Sequence, residues 1–216
     1  MYRLICSFLI FTFLMVSCNK DDGGNTSQQQ EVDAGFFALQ VGNVWVYSYF
    51  RVDMDTGELI DLGGTETVEI TDEEVVNGET IFTMKITTID ENNTCSICND
   101  NPLETKRVKD SLGYLVEVDG PIIFSSTNTD DFLVSSQEFG DIYRVLKPNE
   151  VLITVPAGQF VSKDNERYAI DPEGNRYEGQ DNLYYAEGIG EIRQTISSVS
   201  ILKIIFEKQL ISYTVQ

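Results

Sequence analysis

Thr65-Glu66-Thr67-Val68-Glu69-Ile70, then Asn77-Gly78, then Ile81-Phe82-Thr83-Met84-Lys85-Ile86 decide the fold. Both runs alternate at period two over most of their length, the period of a strand with one face buried. Asn and Gly both accept the positive φ that a two-residue hairpin turn demands, so the two runs are expected to pair antiparallel. Tyr114-Leu115-Val116-Glu117-Val118 and Ile192-Arg193-Gln194-Thr195-Ile196 repeat the pattern further along. Asp55-Thr56-Gly57, Asp119-Gly120-Pro121 and Glu173-Gly174-Asn175 supply further turns.

Working outward, the pattern predicts strands near 43–53, 58–71, 79–90, 104–110, 112–118, 121–127, 142–155, 160–170, 183–187, 190–198 and 201–214. A short helix fits only around Asp130 to Gly140. Long amphipathic helical segments, which parallel βαβ units require, are missing. A sheet of about ten strands twists and curls. The expected fold is therefore all-β: a single domain over 36–216 built on a strongly curved antiparallel sheet, half-barrel or barrel-like, with little helix.

The chain has 216 residues, with 42% hydrophobic content and a net charge of −20. A body so acidic repels phosphate, which excludes nucleic acid as a partner. No histidine is present. That removes Ser-His-Asp hydrolases, Cys-His proteases and most zinc and iron sites.

The N-terminus follows different rules. Arg3 precedes an apolar run from Leu4 to Val16, which at 1.5 Å per residue reaches about 20 Å and falls short of a bilayer core. Its length, charge and position suit a secretory signal over 1–17. The run ends Leu14-Met15-Val16-Ser17-Cys18, which resembles the lipobox of bacterial lipoproteins. Met15 stands where that family usually has leucine. The resemblance implies lipidation of Cys18 by palmitate-type acyl chains, with the preceding residues removed. Two or three chains, at about 0.8 kcal/mol per buried CH₂, would hold the protein on a membrane permanently. Residues 18–35, with Gly23-Gly24 and Gln28-Gln29-Gln30, read as a flexible tether. No later stretch is apolar enough for a spanning helix, so the body is expected outside the bilayer, held by the lipid alone.

Three segments resemble elements of Bacteroidetes envelope lipoproteins: Phe36 to Tyr47 matches an FxLxxGNxWxY opening, Val155 to Phe160 a VPAGxF element, and Tyr184 to Gly190 a YYAxGxG element. That family implies a β-rich envelope protein and lends no chemistry. Trp45, Tyr47 and Phe160 read as core anchors, and Gly42, Gly158, Gly188 and Gly190 as turn or bulge positions. Lys20, Asp21 and Asp22, directly after the lipidated residue, resemble the export signal of surface lipoproteins in the same group. The resemblance implies recognition by lipoprotein export machinery and display on the outer membrane, with a periplasm-facing position as the alternative.

Little in the body suggests catalysis. Cys95 and Cys98 are the two thiols left once Cys6 departs and Cys18 is lipidated, and an oxidising envelope favours a disulfide between them. Redox and metal roles are the other readings of the pair, but its loop context of Glu91, Asn92, Asn93 and Asp100 suits neither. Asp53-Met54-Asp55-Thr56-Gly57-Glu58 has some character of a calcium loop, but its glycine falls one residue early and a hairpin turn explains it better. Asp130-Asp131 and Asp72-Glu73-Glu74 provide carboxylate pairs of the kind glycosidases use, although thirty-five acids make such pairs inevitable. The sequence therefore points to a non-enzymatic, lipid-anchored surface lipoprotein with a binding or structural role, needing no catalytic residue, metal or cofactor. A half-barrel carrier of a lipid or other apolar molecule is the alternative, and an acid-dependent hydrolase the least favoured reading.

Overall fold

A computed structural model describes residues 35–216; the signal segment 1–17, Cys18, Lys20, Asp21, Asp22 and the rest of the tether up to residue 34 lie outside the described residues. The described chain forms thirteen strands and no helix. In order they are β1 (Val44–Val52), β2 (Leu59–Val76), β3 (Glu79–Ile89), β4 (Leu103–Ser111), β5 (Tyr114–Glu117), β6 (Ile122–Ser125), β7 (Phe132–Gln137), β8 (Gly140–Leu146), β9 (Val151–Val155), β10 (Gly158–Ile170), β11 (Arg176–Ala186), β12 (Gly190–Ser197) and β13 (Ile204–Thr214).

Twelve of these follow one antiparallel path, β6-β5-β4-β3-β2-β1-β13-β12-β11-β10-β8-β7. Because β1 pairs with β13, the path runs almost round a ring in chain order, skipping β9, with one pairing missing, between β6 and β7. The sheet is thus a nearly closed up-and-down barrel. Asn77 and Gly78 both have positive φ, at 54° and 85°, at the turn from β2 to β3, as their hairpin role requires.

Side chains take over where backbone pairing stops. An open sheet edge exposes unpaired N–H and C=O groups that must find partners once buried. Asn165 of β10 accepts from the Ser125 N–H at 3.0 Å and donates to the Ser125 carbonyl at 2.9 Å, so its amide stands in for a neighbouring strand. Arg144 of β8 donates to the Ile123 carbonyl, and Lys163 reaches the Ser126 carbonyl at 2.7 Å. Tyr114 of β5 meets Phe132 of β7 edge to face.

Two expectations are corrected. The segment 130–140, where a helix seemed to fit, holds β7; Phe132-Leu133-Val134-Ser135-Ser136-Gln137 is an edge strand paired on one side with β8. The single strand expected over 142–155 is two, β8 and β9, parted at Lys147-Pro148-Asn149-Glu150. Proline cannot donate to a ladder and asparagine favours a turn, so the chain bends there. The second piece pairs only with the first half of β10, and this hairpin reaches toward β13, where the Ala157 N–H meets the Leu210 carbonyl at 3.1 Å.

Two of the three family-like segments meet, and the third packs on β13. Phe36 to Asn43 precedes β1 as a turn-rich segment, with Phe37, Ala38 and Leu39 buried in the core. The Gly188 N–H donates to the Phe36 carbonyl, and the Trp45 Nε1–H to the Ile189 carbonyl at 2.6 Å. Gly190, at φ 104°, lies flat against the Trp45 indole; a Cβ there would press on the ring from 3.3 Å. Phe160 packs on Tyr213. Trp45 and Tyr47 are buried and Phe160 half-buried, so all three serve as packing anchors.

Candidate functional site

Strand alternation decides what faces the barrel interior. On β2, Glu66, Val68 and Ile70 are buried while Thr65, Thr67 and Glu69 are only partly so. Registration carries that face across the sheet: Glu66 opposes Thr88, Val68 opposes Ile86, Ile86 opposes Glu104 and Met84 opposes Lys106. In the other direction Glu66 opposes Tyr47, Tyr49 opposes Lys208, and Lys208 opposes Gln194. The outward positions of β2 to β4 include Glu69, Lys85, Thr105 and Arg107, which form no apolar band of the kind a membrane-spanning barrel presents to lipid. No helix among the described residues is long and apolar enough to cross a membrane.

The interior has two tiers. One is apolar, with Ile70, Val108, Leu115, Phe124, Ile192 and Leu210 almost wholly buried. Phe124 stacks obliquely on Tyr185 at 4.4 Å between ring centroids, and Phe37 meets both rings edge to face. The other tier is charged. Lys208 Nζ lies 3.1 Å from Glu66 Oε1 and 2.8 Å from Glu191 Oε1, and 4.6 Å above the Tyr47 ring. The Tyr49 hydroxyl donates to Glu66 Oε2 at 2.7 Å, and the Tyr47 hydroxyl to the Glu191 carbonyl at 3.1 Å.

Burial alone would strip the proton from Lys208, but Glu191 and Glu66 outweigh it and raise its pKa well above the ordinary lysine value. Burial also opposes the charge on Glu66, yet Lys208 and the Tyr49 hydroxyl hold its pKa below the usual carboxylate range. Tyr47 and Tyr185 are pushed up, first by burial and then by Glu191. Arg144 is pulled down to about 10, chiefly by burial and then by the neighbouring Arg167.

Between the tiers lies a cavity of about 250 Å³. Trp45, Val68, Met84, Leu115 and Leu183 form its apolar wall, and Glu66, Lys208, Glu191, Gln194 and Arg144 its polar one. Glu104 and Lys106, with side chains 35% and 31% exposed and paired at 3.4 Å, also line the cavity and mark where it reaches solvent. The arrangement can hold a small molecule with one apolar and one polar end. It is poorly suited to acid–base hydrolysis of a sugar, because Glu66 and Glu191 in the cavity wall are both held by the Lys208 ammonium.

The sequence-derived candidates fall elsewhere. Cys95 and Cys98 form a disulfide in the loop between β3 and β4, and this loop packs on Gly64 of β2, where any side chain would overlap the Cys98 sulfur. Asp53 spends its carboxylate on its own turn, Oδ1 accepting from the Asp55 and Thr56 N–H groups and the Thr56 hydroxyl. Asp171 does the same for Asn175. Asp72, Glu73, Glu74, Asp130 and Asp131 are exposed, and none of them lines the cavity. No cluster of three potential metal ligands occurs among the described residues.

Trp45 and Tyr47 stood out in the sequence, but the polar cavity residues did not. Glu66 is in the run that decides the fold, and its parity with Val68 and Ile70 was the available signal. Lys208 shares its parity with Leu210 in the same way. Arg144 shares its parity with Ile142 and Leu146, but Tyr143 and Val145 make the other face of β8 equally apolar, so alternation does not single out the inward side.

No family model matches the chain, and no curated protein sequence does. Two solved structures are similar. One is a Bacteroides fragilis protein assigned as exported, with a YmcC-like fold; it is 12% identical, covers 83% of this chain and 99% of its own, and superposes with a TM-score of 0.52. The other is a Parabacteroides distasonis protein assigned as a lipoprotein, 12% identical over 83% of this chain and 98% of its own, with a TM-score of 0.50. At that identity the likeness carries the architecture: the chain has the YmcC-like barrel.

Proposed function

We propose that this is a lipid-anchored envelope protein whose barrel interior binds a small amphipathic molecule without transforming it. The observation that carries the reading is the cavity, which sets an apolar wall around Trp45 and Leu115 against a polar wall of Glu66, Lys208, Glu191 and Arg144. A wholly apolar lipid would displace water from that polar wall and leave the Arg144 guanidinium without an ion-pair partner, at high cost in a low-dielectric interior. The volume holds about eight water-sized groups at ~30 Å³ each, which sets the size of what fits inside. Longer molecules would emerge beside Glu104 and Lys106.

The location rests on other support. The lipobox-like residues ending at Cys18, and similar structures assigned as exported and as a lipoprotein, favour export and an N-terminal lipid anchor. Lys20, Asp21 and Asp22 favour the outer face of the outer membrane, reached through lipoprotein export machinery. The test of binding is native mass spectrometry of the protein purified from its own host. A co-purifying small molecule on wild type that is absent from Met84→Trp, which fills the cavity, supports the proposal. A wild-type mass explained by polypeptide and acyl chains alone opposes it.

A further inference from the structure

Arg144 is a buried cation that makes no ion pair among the described residues, although Glu191 and Asp181 act on it from further off. Its residue is 9% exposed and lines the cavity, and its guanidinium donates to the Ile123 carbonyl while its buried Nε–H has no partner. Every carboxylate on the strands around it is engaged elsewhere. Asp181 binds Arg167, the Ser197 N–H and the Ser197 hydroxyl. Asp164 accepts both bonds from Asn182. Glu66 and Glu191 share Lys208, and Glu104 pairs with Lys106. Glu166, on the other face of β10, is taken by Lys147 and Arg176.

A buried guanidinium without a carboxylate is costly, and a neighbouring cation, Arg167, opposite it in register, makes it more so. Closing the gap at Ile123 needs only a neutral donor. A positively charged group that can bind anions in a planar, two-pronged manner is more than that task requires. Gln194 lines the same cavity and the narrow recess beside Arg144, and adds a neutral amide.

We propose that Arg144 anchors the carboxylate of a small amphipathic acid whose apolar body lies against Trp45, Met84 and Leu115. The inference rests on the cavity being the binding site and adds the chemical class of what enters it. The net charge of −20 repels anions at a distance, but that repulsion is screened within about 8 Å at physiological salt and leaves the local field of Arg144 intact.

Octanoate and octanol are the probes: nearly equal in size, close to filling the cavity with the tail free to emerge beside Glu104 and Lys106, and different only in the polar end. Trp45 is the only tryptophan and lines the cavity, so its fluorescence reports occupancy for either probe. Wild type, Arg144→Met and Gln194→Glu are titrated with both at 0.15 M salt. Gln194→Glu is included because it supplies Arg144 with an internal carboxylate without removing the guanidinium, so it decides the matter even where Arg144→Met does not fold. A charge-assisted pair predicts that wild type prefers octanoate by roughly tenfold or more. In both variants the ratio should fall to near one. Equal binding of the two probes by wild type overturns the anion site and leaves the cavity reading standing. A preference that survives in a folded variant overturns the role of Arg144. Binding of neither probe overturns both.

Discussion

Replacing Lys208 by methionine removes one charge from the middle of the barrel and leaves two behind. The ammonium lies 3.1 Å from Glu66 and 2.8 Å from Glu191, and all three side chains are at least 85% buried. At an effective dielectric of 20, each contact carries about 5 kcal/mol of attraction, most of it offset by the desolvation of the ions. Removal of one partner from a buried pair nonetheless costs about 3–5 kcal/mol, since the remaining charge has neither water nor counter-ion. At about 2–4 °C per kcal/mol for a domain of this size, Lys208→Met should melt about 6–20 °C below wild type by circular dichroism. The triple variant Glu66→Gln, Lys208→Met, Glu191→Gln removes all the charge and should recover most of the loss. The pH dependence should reverse sign. In wild type the depressed pKa of Glu66 gives stability that is present above its unfolded value, ~4.3, and is lost as pH falls through the folded one. In Lys208→Met the two carboxylates repel, a folded-state pKa rises, and stability grows as pH falls from 8 toward 5. A melting temperature within 2 °C of wild type, or a variant stability that is flat or falls as pH drops from 8 to 5, would refute the claim that these groups form a buried, mutually dependent cluster.

Cys95→Ser with Cys98→Ser opens a loop so short that the entropic stabilisation lost is about 2 kcal/mol, so the fold should survive with a melting temperature lower by about 4–8 °C. Thiol labelling of both positions in unreduced wild type would contradict the disulfide. Asn165→Ala strands the Ser125 N–H and carbonyl inside the barrel, for a loss of about 2–4 kcal/mol; the Ser125 amide should exchange with solvent faster, and an unchanged exchange rate would remove Asn165 from the closure of the barrel. Protease shaving of intact cells should release the wild-type body and spare Lys20→Ala, Asp21→Ala, Asp22→Ala combined. Resistance of wild type until lysis would contradict surface display, and equal shaving would show that those three residues are not the signal.

The fold was legible wherever a strand had one wet and one dry face. The runs Thr65 to Ile70 and Ile81 to Ile86 alternate plainly because their outward residues meet solvent, and Asn77-Gly78 adds a backbone requirement few other pairs satisfy. Legibility failed at β7, an edge strand whose outward positions include Leu133, 52% exposed, so alternation is blurred. It failed again at Pro148-Asn149, where a short bend parts two apolar runs and the buried positions pass from even numbers, Arg144 and Leu146, to odd ones, Ile153 and Val155. The cavity was hidden for a different reason. Its polar residues come from strands as far apart as β2, β8 and β13, so no one strand's pattern shows that they share a cavity. Only ring closure, with β1 against β13, turns Glu66, Lys208 and Arg144 toward a common interior. On β4, Glu104-Thr105-Lys106-Arg107 is polar on both faces, so no pattern in the residues tells inside from outside.

The central claim, that the barrel interior is a ligand site, meets its most direct test in a crystal structure of the mature protein isolated from its own host. The account predicts continuous electron density for an organic molecule in the cavity, its polar end against Arg144 and its apolar body against Trp45 and Leu115. A cavity filled by ordered water alone, or collapsed with Arg144 turned out to solvent, would contradict it.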